Sequence, residues 1–313
     1  MFTLREIAVS LTFFVLLYSL LSAMVAVLWR LLRLLRASKN SVAGLLFILR
    51  IFPLVASIVI TLAFVVPSFQ LLEPRSIDEG MGTMPLALGI CALLLIACGC
   101  YRVITAQTTT SRVVSRWLQG ARPIDVDATP LTMTSRSSCE APPLTLVGVR
   151  KPRVLVSEST LALLSDDELH IALKHELAHI HSGDNFKKLL FRFCPFPGMD
   201  KLEKAWSQAA ELAADDAAVS TSNDAVELAS ALVKLSRLVP VEAAPICTVG
   251  FVTGTIGARV ARLLAWEQAS KFQPVRIRPW YVIPPALVTL FCVLASYGSV
   301  LSFTHEVTEW LVR

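Results

Sequence analysis

A chain of 313 residues with 54% apolar side chains and only 17% charged ones is too long and too hydrophobic for one ordinary soluble domain. Its net charge of +5 comes from basic residues that flank apolar runs and are not interleaved with aromatics along one face, so no direct nucleic-acid binding is expected. Membrane-spanning helices are the first expectation.

Four apolar runs reach the roughly 20 residues that a helix needs to cross a hydrocarbon core. They are Ile7–Leu28, Val42–Val66, Met84–Tyr101 and Trp280–Leu301. The first is too long for a signal peptide and its basic residues follow it, so it reads as a retained anchor. Basic loops stay on the cytoplasmic side. Arg30, Arg33, Arg36 and Lys39 follow the first run, and Arg102, Arg112, Arg116 and Arg122 follow the third. Lys271, Arg276 and Arg278 precede the fourth, while loop 67–83 carries Glu73, Asp78 and Glu79 against Arg75. The expected topology in a bacterial-type cell membrane is multi-pass: N-terminus outside, 102–279 cytoplasmic, and a short tail, 302–313, outside.

The cytoplasmic portion divides into a linker, 102–143, and a compact domain, 144–279. Residues 120–143 are rich in Pro, Ser and Thr and read as a loop. "PLTLVGVRKPRVLVSES" offers two β-branched runs around Arg150-Lys151-Pro152, a strand pair. A helix then opens with Ser165 and Glu168 as a capping box and stops at Gly183, with Leu169, Leu173, Leu177 and Ile180 at core spacing. Residues 186–199 mix Phe and Leu with Lys187, Lys188 and Arg192. They suit either the inner leaflet or an ordinary helix or loop packed on the domain, since no clean helical segregation is visible. Further helices are expected over about Lys201–Ser220, Asp224–Val239, ended by Pro240, and Thr255–Ser270. The seven cysteines include no CxxC pair, so a cysteine metal or redox site is not expected.

The chemistry concentrates in "HELAHIHSGD", 175–184. On a helix, His175 and His179 project to one side and present two imidazoles to one point. Neutral imidazole is a good zinc ligand, and a catalytic zinc takes three protein ligands while leaving a place for water. Glu176, next to the first ligand, is placed to take a proton from that water.

A third ligand is needed, and "AAELAADDAAV" offers Glu211 with Asp215 four residues on. Glu211 can reach zinc while Asp215 holds a ligand histidine by its other ring nitrogen. Ala209, Ala210, Ala213, Ala214, Ala217 and Ala218 would let this helix approach another closely. Asp184 either hydrogen-bonds within the site or caps a loop, and His170 and His181 read as surface residues. Arg259 has two readings, oxyanion stabiliser or structural ion pair.

These residues, with "VGVRKPRVLVSESTLALLSDDELHIALKHELAHIHSGD" and "ELAADDAAV", resemble the gluzincin peptidases and, within them, the BlaR/MecR-type membrane metallopeptidases of bacterial antibiotic sensing. The resemblance implies zinc bound by His175, His179 and Glu211, Glu176 as general base, and Asp215 behind a ligand. It also implies a mainly α membrane protein, four transmembrane helices with a cytosolic α+β gluzincin-like domain carrying a small sheet. Where the family has basic residues before the aspartate, this chain has His181, Ser182 and Gly183, so only Asp184 matches there. Sensor members carry a penicillin-binding domain after the fourth span. Here "SFTHEVTEWLVR" follows, and β-lactam sensing in the same polypeptide is not expected.

The expected partners are the bilayer and a protein or peptide substrate, a transcriptional repressor among the candidates. The HtpX and CAAX-prenyl proteases share HExxH with a later ExxxD and offer a quality-control alternative; their spans are arranged differently. A non-catalytic membrane scaffold keeping the fold is the alternative from another class.

Overall fold

The computed structural model describes residues 2–34, 43–73, 82–117, 143–149, 152–238, 249–250, 256–266 and 283–312. The expected linker from 118 to 142, the hairpin tip Arg150-Lys151, Pro240, Cys139 and Cys247 lie outside them. So do Arg36, Lys39, Arg75, Asp78, Glu79, Arg122, Lys271, Arg276 and Arg278, which carried much of the orientation argument.

Among the described residues, three helical segments are long and apolar enough to cross a membrane: Leu4–Leu31, Ala43–Leu72 and Thr83–Trp117. The first lies in α1 (Phe2–Leu34). The second is α2 (Ala43–Ile60), continued through a π turn, Thr61–Val65, into α3 (Val66–Leu72). The π turn has a covalent cause. Pro67 has no N–H to give, and its ring crowds the carbonyl four residues back, at Ala63. That carbonyl instead accepts the Tyr297 hydroxyl at 2.9 Å.

The third segment is α4 (Thr83–Trp117), whose 35 residues rise about 50 Å, well beyond a hydrocarbon core of about 30 Å. This lengthens the run expected to stop at Tyr101: residues 102–117 continue the helix. Trp117 then packs on Val147 and Leu155, so the same helix reaches the sheet. Tyr297 belongs to α11 (Ile283–Val312), which occupies the place of the fourth apolar run and stays helical through most of the expected tail.

The bundle is knit by side chains suited to apolar surroundings. Thr12 donates to the carbonyls of Ala8 and Pro85, at 2.8 and 2.9 Å, joining α1 to α4. At the N-terminal end of α1, Arg5 lies 3.5 Å from Glu73.

The remaining elements build a small α+β body. Antiparallel strands β1 (Leu144–Val147) and β2 (Arg153–Val156) pair Leu144 with Val156 and Val147 with Arg153, as the hairpin reading expects. A two-residue strand, β3 (Val249–Gly250), completes the order β2-β1-β3. Six helices follow or flank the sheet: α5 (Glu158–Leu163), α6 (Asp166–Ser182), α7 (Asp184–Phe193), α8 (Asp200–Ala218), α9 (Ser222–Ser236) and α10 (Ile256–Leu264). The core joins Leu144, Leu146, Val154 and Val156 to Ile171, Leu228, Leu232 and Leu263.

Both halves of the expected capping box at Ser165 and Glu168 are present, and Gly183 ends α6 at φ +66°, a left-handed conformation that glycine adopts without a Cβ penalty. The most buried face of α6 is not the expected leucine stripe. Ile171, Ala172, His175, Glu176 and His179 are buried, while Leu169, Leu173 and Ile180 flank the core partly covered.

The α+β body is anchored in the bundle. Helix α7 does segregate its residues: at 100° per residue Phe186, Leu189, Leu190 and Phe193 share one side, with Lys187, Lys188 and Arg192 away from it. The elbow between α7 and α8 lodges among the spans. Tyr18 donates to the Pro195 carbonyl at 3.2 Å, and Arg50, fully buried on α2, donates to the Cys194 carbonyl at 2.6 Å and to Glu203 at 2.9 Å. Gly99 of α4 sits so close that a Cβ there would collide with the Phe193 carbonyl.

Candidate metal centre

Helix α6 sets His175 and His179 one turn apart, and α8 lies across them because its facing residues Ala210, Ala214 and Ala218 are small and buried. Ala213 and Ala217 face solvent and take no part in that approach. The Nε2 atoms of the two imidazoles are 3.2 Å apart. Glu211 Oε2 lies 3.6 Å from His175 Nε2 and Oε1 lies 3.8 Å from His179 Nε2. Three ligand atoms therefore converge within 4.8 Å of one another, all on buried residues.

The opposite nitrogens face carboxylates. His179 Nδ1 is 2.7 Å from Asp184 Oδ2, and His175 Nδ1 is 3.1 Å from Asp215 Oδ1. Such backing fixes the tautomer and aims Nε2 at the common point. Asp184 stands at the start of α7, where it also receives Lys187 at 3.2 Å.

Arg259 is buried, and its guanidinium donates through Nε to Asp215 Oδ2 at 2.8 Å and through Nη1 to Glu211 Oε2 at 2.9 Å. Of the two readings open to Arg259, the geometry carries the ion pair. The residue stands behind the ligand set, and its donors are spent on the two carboxylates of α8.

Glu176 is the exception to this pairing. It has no exposed surface, and among the described residues neither carboxylate oxygen has a hydrogen-bond partner. Burial pushes its pKa up, against the pull of His179 and His175. For Glu211 and Asp215 burial pushes the same way, but the hydrogen bond to His175 and the charge of Arg259 outweigh it, and both lie below the ordinary carboxylate range. Burial also opposes charge on His175, yet Asp215 and Glu211 raise its pKa to about 9.

These directions express one imbalance. Four buried carboxylates, Glu176, Asp184, Glu211 and Asp215, meet the Arg259 guanidinium and the Lys187 ammonium, and the charge of Lys188 also acts on Glu176. With neutral imidazoles the carboxylates still outnumber these cations in a place where unpaired charge is costly, and a divalent cation compensates the excess. The donor set fits such an ion.

All six residues singled out around "HELAHIHSGD" and "ELAADDAAV" thus stand together, and Arg259 joins them from α10. His170 and His181 are exposed on the outside of α6, with His181 Nδ1 2.8 Å from the Leu177 carbonyl. Lys187 and Asn185 were not anticipated. Asn185 is buried and donates to the Gly148 carbonyl at 2.9 Å, tying α7 to the end of β1. Their signal was available: polar residues crowded just after a helix-ending glycine.

No match is found among curated proteins. A family described as BlaR1 peptidase M56 matches residues 83–263, from the start of α4 through α10. That range covers more than half of the sequence and every residue of the cluster, so with its apolar helices the chain belongs to the BlaR1 peptidase M56 family of membrane metallopeptidases.

Proposed function

We propose that the protein is an integral membrane zinc endopeptidase that cleaves peptide bonds at the cytoplasmic face of the cell membrane, with His175, His179 and Glu211 as the zinc ligands. Two imidazoles and one carboxylate are a catalytic zinc set, since they leave a position for water. Bound there, zinc supplies Lewis acidity that acidifies water and polarises a peptide carbonyl. Glu176 takes the proton of the attacking water and returns it to the departing amine nitrogen. Asp184 and Asp215 hold the imidazoles in register, and Arg259 holds Glu211 and Asp215.

The single observation that carries this reading is the Glu176 carboxylate, wholly buried, without a hydrogen-bond partner among the described residues and beside two converging imidazoles. A carboxylate so placed costs stability unless a bound ion and a substrate give it work. The substrate is expected to add as a strand along β2, which among the described residues pairs only with β1. A repressor protein is the regulatory target we favour. The cytoplasmic assignment is supported by Arg30 and by the basic residues of α4, which lie at the end of the bundle that meets the peptidase helices. On this reading α11 is the fourth span.

Purified full-length protein is incubated with an unstructured substrate such as casein, with and without a chelator. Cleavage that stops on chelation and returns with zinc supports the reading; cleavage untouched by metal removal overturns it.

A further inference from the structure

A cavity of about 600 Å³ lies where α4, α7 and α8 meet, one turn along α8 from Glu211 and outside the ligand cluster. Its wall carries four cations, Arg102, Lys188, Arg192 and Lys204, against Asp200 and Glu203. Glu203 is engaged by Arg50. Among the described residues Arg102, Arg192 and Lys204 have no carboxylate partner, so the wall is left with a surplus of positive charge. Trp206, 1% exposed, is part of the same wall.

The depth of the cavity narrows the choice of ligand. Arg102 follows directly on the apolar run 84–101 of α4, and the Arg30 guanidinium, just past the first apolar run, reaches Gly198 of the elbow. These cations mark the level at which hydrocarbon gives way to headgroups, where arginine, lysine and tryptophan gather. Phe191, Phe196 and Pro195 give the cavity an apolar side beside its charges. Surplus cations and apolar walls at one level match a phosphodiester whose acyl chains run on into the bilayer.

We propose that this cavity binds the phosphate headgroup of an anionic phospholipid of the inner leaflet, held by Arg102, Arg192 and Lys204. The inference does not depend on proteolysis, and its test reads binding alone.

Native mass spectrometry of the intact chain, released from detergent with phosphatidylglycerol or phosphatidylcholine, counts retained lipid. The expected result is one phosphatidylglycerol per chain where phosphatidylcholine is lost. The pair Arg102→Gln with Arg192→Gln should weaken retention on the order of tenfold. Arg112→Gln with Arg116→Gln removes the same charge from α4 away from the cavity and should leave retention unchanged. Equal retention of the two lipids, or equal weakening by the two double variants, overturns the proposal. Displacement of the lipid by millimolar inorganic phosphate would assign the cavity to a soluble phosphate, and displacement by an acidic peptide would make it a substrate subsite. Either outcome overturns the lipid assignment.

Discussion

The cluster His175, His179 and Glu211 and the cluster Glu73, His305 and Glu309 each bring three ligand atoms within 4.8 Å. In the first, every residue is buried, each imidazole turns one nitrogen to the shared point, and a carboxylate backs the other nitrogen. In the second, Glu309 is 45% exposed. The two ring nitrogens of His305 face Glu73 at 3.9 Å and Glu309 at 3.6 Å, and Arg5 shares Glu73. Those distances are too long for hydrogen bonds, and Nδ1 of His305 has no hydrogen-bond partner among the described residues, so the ring lacks the close backing that Asp184 gives His179. A metal centre is therefore distinguished by burial and by support behind each ligand, not by a count of histidines and acids.

The sharpest way to break the comparison is at Glu176. Glu176→Gln should lower peptidase turnover by about a hundredfold to ten-thousandfold while bound zinc stays at one per chain, read by metal analysis beside substrate cleavage. Loss of zinc in that variant would mean that Glu176 is a ligand and the assignment of roles is wrong.

Next in size are the ligands. His175→Ala or Glu211→Ala should abolish stoichiometric zinc, whereas His305→Ala and Glu73→Gln should leave the metal content unchanged. A parallel loss at both clusters would remove the distinction drawn between them. Smaller again, Asp184→Asn and Asp215→Asn should weaken zinc about tenfold to a hundredfold without removing it, measured by competition with a chromogenic chelator.

The smallest effect is a pH dependence of the chelated protein. Folded His175, raised to about 9 by Asp215 and Glu211 against the opposing effect of burial, holds a proton that the unfolded chain releases near 6.5. The stability so gained is complete below about 6.5 and is lost as pH rises through about 9. The thermal midpoint after chelation should fall across that window. With zinc bound the imidazole must be neutral to ligate, and the fall should vanish. A flat profile in the chelated protein would contradict the pairing of His175 with α8.

The local parts of the site were legible because helical spacing alone carries them. His175 with His179, Glu211 with Asp215, and the Ser165 and Gly183 helix ends each follow from residues within one or two turns. Arg259 was legible as a candidate but not as the clamp on Glu211 and Asp215, because more than forty residues and a change of direction separate them. The continuation of α4 through "RVITAQTTTSRVVSRW" was missed because polar and β-branched residues read as the end of a span. Their helix is sustained by continuity with the apolar part and by Trp117 packing on the sheet. The segregation of α7 was also missed. Phe191 departs from the apolar side because it is drawn into the aromatic contacts of Trp206 and Phe47, and that one residue blurs the pattern.

The buried Arg50 gives the molecule a mechanical character. It grips Glu203, and Glu211 stands further along the same helix, about 12 Å away by helical rise. The second apolar segment and the Glu211 carboxylate therefore sit at two points of one stiff rod. A tilt of that segment in the bilayer would be delivered to the cluster as a shift of this carboxylate, with no loop in between to absorb it.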